Sequence, residues 1–124
     1  MNGAKEYTST TRRVKTGCGN MYCTLMFDQP DENGEGGGKF VGMLAKLGRA
    51  GGCSSLTIEV IAALVTEGLH AGADAKRLAN CLKGVQCHQA NPTAGIMSCA
   101  DAVASAIERA LELEAQNTTP TPAG

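Results

Sequence analysis

The chain has 124 residues, 43% of them apolar but only 3% aromatic, enough to fill one small core and too few for two domains. Eleven Lys and Arg against twelve Asp and Glu leave a formal charge of −1, so no global positive field is available to gather nucleic acid or an anionic membrane. The longest apolar-rich stretch, Leu56 to Leu69, is broken by Thr57, Glu59, Thr66, Glu67 and Gly68 and falls short of the roughly 20 apolar residues of a membrane span.

Residues 1–13 are hydrophilic and without periodicity, and read as a flexible segment. They lack the apolar run of a secretory signal, so the expected location is the cytoplasm. Arg12, Arg13 and Lys15 form a short basic run that reads as solvated surface. From Gly19 to Asp28, Met21, Cys23, Leu25 and Phe27 alternate with Tyr22, Thr24 and Met26, the period of a half-buried strand. Gln29 to Gly38, with Pro30, Asp31, Asn33 and four glycines, reads as a hairpin loop that Asp28, Glu32 and Glu35 make acidic, and Lys39 to Leu47 as the returning strand. The glycines of Gly48 to Gly52 deliver the chain to a helix capped by Ser54 or Ser55. Its expected core stripe is Ile61, Leu64, Val65 and Leu69, widened by Ile58 and Ala62, and His70 near its end suits the helix dipole. A second helix follows Asp74 through Lys83, with Ala75, Leu78, Ala79 and Leu82 inward. Val85 to Met97 is a connector, after which Ser98 caps a third helix whose Ala102, Val103, Ala106, Ile107 and Ala110 share one face. Residues 115–124 read as a disordered tail. Strands followed by helices predict an α+β fold over residues 14–114, a small antiparallel sheet formed by a hairpin and packed against three helices. So few aromatic residues make the core thin, and a bound metal would be a natural staple.

Six cysteines in a chain expected to stay in the cytoplasm read as thiols, metal ligands or redox groups rather than a disulfide framework. Cys18 falls at the start of the first strand, Cys53 at the entry to the central helix, Cys87 in the connector and Cys99 in the first turn of the last helix. No CxxC pair is present, so spacing alone is a weak metal signal. The setting is stronger: three of the four neighbour Gly or Ser, and the helix N-termini at Cys53 and Cys99 favour thiolate. Four thiolates brought together suit zinc or an iron-sulfur cluster. Cys23 and Cys81 read as small core hydrophobes. His88 is taken as solvated, Asp101 as a first-turn carboxylate, and Gly48 to Ser55 as a minor candidate for a phosphate cradle that lacks the ending of a P-loop. No Ser/His/Asp arrangement is apparent, so the chain is not expected to be catalytic by itself.

Four segments carry a family resemblance: Thr16-Gly17-Cys18-Gly19-Asn20-Met21-Tyr22, Leu47-Gly48-Arg49-Ala50-Gly51-Gly52-Cys53, Leu82-Lys83-Gly84-Val85-Gln86-Cys87 and Ser98-Cys99-Ala100-Asp101-Ala102. Together they resemble the TSCPD domain, found at the C-terminal end of many cobalamin-dependent (class II) ribonucleotide reductases and as small free-standing proteins. The resemblance implies a metal-binding role for Cys18, Cys53, Cys87 and Cys99, with zinc expected and an iron-sulfur cluster as the alternative. It also implies a class II reductase catalytic chain as partner, and a reductase label inherited from that association. The catalytic barrel and its cobalamin site need several hundred residues, so this chain is not expected to bind cobalamin. Nucleic acid and membrane are not expected partners, and a homo-oligomer is an open expectation. Two departures stand out, Ala100 where the family has proline and Met97 where it has the threonine that names the motif. Proline at a first helical turn only pre-sets φ, so its loss leaves a cysteine ligand intact. A more distant likeness, to NifU-like iron-sulfur cluster scaffolds through Cys18, Cys53 and Cys99, implies an α+β sandwich of the same architecture.

Overall fold

The structure is a computed structural model that describes residues 6–16, 19–30, 37–48, 53–84 and 99–118. Three strands, β1 (Tyr7–Thr16), β2 (Gly19–Asp28) and β3 (Phe40–Leu47), precede three helices, α1 (Cys53–His70), α2 (Ala75–Leu82) and α3 (Cys99–Thr118). The sheet is antiparallel in the order β1-β2-β3, which establishes the α+β class.

Strand β2 is central because it carries the cleanest alternation. Met21, Cys23, Leu25 and Phe27 are buried on the inner face, and the register sets them opposite Leu47, Ala45, Met43 and Phe40 of β3. A bulge between Met26 and Phe27 brings Phe27 opposite Phe40, with ring centroids 6.0 Å apart. At the loop end, the Asp28 amide donates to the Lys39 carbonyl at 3.0 Å and the Gly38 amide to the Asp28 carbonyl at 2.8 Å. Gly37 and Gly38 take φ of 87° and 78°, the left-handed region glycine tolerates.

Helix α3 lays Ala102, Val103, Ala106, Ile107 and Ala110 into the core, as their spacing predicts, and Ala104 is buried too. Small side chains let the helix approach closely, which keeps a core with few aromatic residues well filled. Helix α1 contributes Ile58, Ala62 and Val65 and runs along the free edge of β3. There the Thr66 hydroxyl accepts from the Met43 amide at 3.0 Å, and its one proton serves the Met43 and Ala62 carbonyls, both at 3.0 Å. The Phe40 amide donates to Glu114 of α3 at 2.8 Å, so that edge is closed by side chains from two helices. Helix α2 packs on α3 rather than on the sheet.

Five expectations change. Residues 7–13 are strand rather than a loose segment: Thr8, Thr10 and Thr11 are β-branched, and pairing with β2 supplies the order that a weak apolar pattern concealed. Helix α3 continues through residues 115–118, into the stretch read as tail. Leu64, placed in the core stripe of α1, is 65% exposed, while Ile61 and Leu69 are only partly covered. Cys81, read as a core thiol, is exposed, because α2 turns only Ala75 and Ala79 fully inward. Helix α1 begins at Cys53, which puts Ser54 and Ser55 inside its first turn rather than at its cap.

Candidate functional site

Cys53 and Cys99 are the first residues of α1 and α3, while Cys18 and Cys87 lie outside the described residues. The backbone on either side of these positions follows one pattern. Thr16 pairs with Gly19 across the two residues that include Cys18, and the Thr16 hydroxyl donates to the Gly19 carbonyl at 2.8 Å. The neighbouring Asn20 carbonyl accepts from the Gly48 amide at 2.8 Å, where the chain leaves β3 for Cys53. Gly19 holds φ at 130°, and a Cβ there would stand 3.3 Å from the Gly48 carbonyl oxygen, so the approach of these two segments depends on glycine.

Helix directions extend the pattern. Thr66 of α1 meets Met43, whereas Glu59 and Ala63 line a groove with Leu44 and Lys46, so α1 starts at the Leu47 end of β3. Glu114 of α3 meets Phe40, and Cys99 lies roughly 22 Å back along that helix, a distance close to the length of β3. Arg12, level with Cys23 and Ala45 across the sheet, lines a cleft with Ser105 and Arg109, so α3 followed back from Glu114 runs toward the Leu47 end. Gly84, the last described residue before Cys87, donates its amide to Asp101 Oδ1 at 2.7 Å, two residues beyond Cys99. The segments leading to all four cysteines thus reach one pole of the molecule, where two helix N-termini also lie. That chemistry fits a soft cation held by thiolates, because the helix ends lower the cost of forming them.

A family model of the TSCPD domain matches residues 3–111, nearly the whole of the described fold. The chain belongs to the TSCPD domain family. No curated protein and no solved structure matches it. The family is associated with ribonucleotide reductases. In this TSCPD domain, Asp101 is more than a first-turn carboxylate: it ties the third motif segment to the fourth through Gly84, a contact that no sequence spacing announces.

The remaining candidates separate. Among the described residues no three His, Cys, Asp or Glu side chains form a group able to hold a metal. Cys23 is buried, and burial pushes its thiol up to about 12 against the opposing influence of Arg12, so it stays protonated and unreactive. His70 is exposed at the opposite end of α1, and His88 lies outside the described residues. So do residues 49–52 of the glycine-rich turn considered as a phosphate cradle. A shallow cleft between β1 and α3 is lined by Arg12, Ser105, Glu108, Arg109 and Glu112. Two of its charged residues already have partners, Arg109 lying 2.9 Å from Glu112 and Glu108 bridging Lys76 and Lys83. No helix among the described residues is long and apolar enough to cross a membrane.

Proposed function

We propose that this TSCPD domain is a metal-binding module in which Cys18, Cys53, Cys87 and Cys99 hold one zinc ion, and that it serves a cytoplasmic class II ribonucleotide reductase as an accessory or docking domain. The observation that supports this reading is that the described residues flanking the four cysteine positions, Thr16 and Gly19, Gly48, Gly84 and Asp101, lie toward one pole of the fold. A zinc ion held by these four thiolates would supply a redox-silent cross-link between four distant parts of the sequence. The protein's own part is to bring the segments together. Gly19 and Gly48 hold the first two close, Asp101 anchors Gly84 beside the start of α3, and the two helix N-termini favour ionised thiols. Nothing in this assignment makes the domain catalytic alone, and the reduction of ribonucleotides belongs to the partner chain.

Elemental analysis and an absorption spectrum of protein purified without oxygen test the reading. One zinc per chain and no visible colour are expected, with metal lost from each of Cys18→Ser, Cys53→Ser, Cys87→Ser and Cys99→Ser and kept in Cys23→Ser and Cys81→Ser. Iron with sulfide absorption would replace zinc by a cluster carried or delivered by the same thiols. Absence of metal would leave a thiol redox role, or, if a nucleotide raised the melting temperature, a regulatory one. Metal retained in Cys87→Ser but lost in Cys81→Ser would overturn the ligand set.

A further inference from the structure

Among the described residues, five of the six large apolar side chains left exposed fall on a single surface: Tyr22, Leu44, Leu56, Val60 and Leu64. The register accounts for the first two. Tyr22 pairs with Lys46 and Thr24 with Leu44, and these side chains alternate with the buried Cys23 and Ala45, so they occupy the outer face of the sheet. Leu56, Val60 and Leu64 repeat every four residues and form a ridge on α1 away from buried Ile58, Ala62 and Val65. Leu44, Leu56 and Leu64 are 62%, 62% and 65% exposed, open enough to need an explanation. Between ridge and sheet runs a groove lined by Tyr22, Thr24, Leu44, Lys46, Glu59 and Ala63.

A ridge beside a groove on one surface is self-complementary under a two-fold axis, because the ridge of each copy fills the groove of the other. Charge points the same way. The groove carries one cation, Lys46, and one anion, Glu59, which a two-fold rotation can bring into facing positions, whereas a strongly acidic or basic partner would meet a like charge. The exposed apolar area is on the order of 500 Å², near the upper limit for a monomer. A stable dimer buries roughly 800 Å² per partner, so this patch would form the apolar centre of such an interface within a polar rim. We propose that this face is a homodimer interface, with the Leu56, Val60 and Leu64 ridge of one copy seated against Tyr22, Leu44 and Ala63 of a second. The proposal is independent of the metal reading, since none of these residues is a proposed ligand.

Sedimentation equilibrium of the full chain over a wide concentration range tests it, with circular dichroism as the check on folding. The wild-type mass is expected to be that of two chains, falling to one on dilution. Val60→Glu on the ridge and, separately, Leu44→Glu on the sheet are each expected to weaken association roughly a hundredfold or more. Both side chains are exposed, so melting of the monomer is expected to be retained. Arg77→Glu on exposed α2 is expected to leave the dimer intact. A single-chain mass at every concentration would overturn the proposal, as would a dimer that survives both interface substitutions. So would one that dissociates with Arg77→Glu alone, which would place the contact on α2.

Discussion

A thiol's reactivity follows from what surrounds it, and among the described residues Cys23 and Cys81 are opposite cases. Cys23 is fully buried between Met21 and Leu25 on β2, whereas Cys81 is exposed on α2. Alkylation of the native protein at neutral pH, mapped by mass spectrometry, is expected to modify Cys81 and to leave Cys23 untouched until the chain unfolds. Because the folded-state pKa of Cys23 is raised from 9.0 to about 12, its stabilising contribution is complete below about pH 9 and declines as pH rises toward 12. Cys23→Ala is expected to flatten that alkaline decline in a denaturant titration. Thr66 matters for a different reason, since its hydroxyl serves both backbone groups of Met43 on an edge strand. Thr66→Val keeps the shape and strands the amide, so urea unfolding is expected to register a loss of about 1–2 kcal/mol.

Helix α2 has only eight residues and a short apolar face, so its place depends on α3. Glu108 accepts from Lys76 at 3.2 Å and from Lys83 at 3.3 Å, and these hydrogen bonds hold its carboxyl below the usual carboxylate range. A depressed pKa stabilises the fold above the unfolded value and loses that contribution as pH falls through the folded one. Glu108→Gln is therefore expected to cost about 0.5–1 kcal/mol near neutrality, after allowance for solvent screening, with the difference vanishing in acid. Thermal melts of both proteins across that pH range would show it. Strand β1 was hard to read because Val14 is its only large aliphatic residue, and its threonines signal strand only through β-branching. In α1 the difficulty was the reverse. Apolar residues cover more than one face, so periodicity alone did not say that Leu64 would stay outside.

A thin core closed at one pole by distant segments makes the whole molecule sensitive to whatever ties that pole. If zinc sits there, chelation is expected to lower the melting temperature by roughly 10 °C or more, since a structural metal contributes several kcal/mol and 1 kcal/mol shifts a domain of this size by roughly 4–8 °C. A melt unchanged by a strong chelator, in protein shown to have lost its metal, would separate metal binding from folding. The same scale sets the division between what could be read and what had to be seen. Residues close in sequence carried the α+β class, the bounds of β2, the inward face of α3 and the TSCPD family, because alternation, helical period and short motifs are local properties. Tertiary structure alone decided that β1 joins the sheet, that Thr66 and Glu114 close its far edge, that Asp101 reaches Gly84, and that Leu56, Val60 and Leu64 share an open surface with Leu44. Each of those outcomes depends on which surface a distant part of the chain comes to cover, and that choice is made by packing the whole molecule at once.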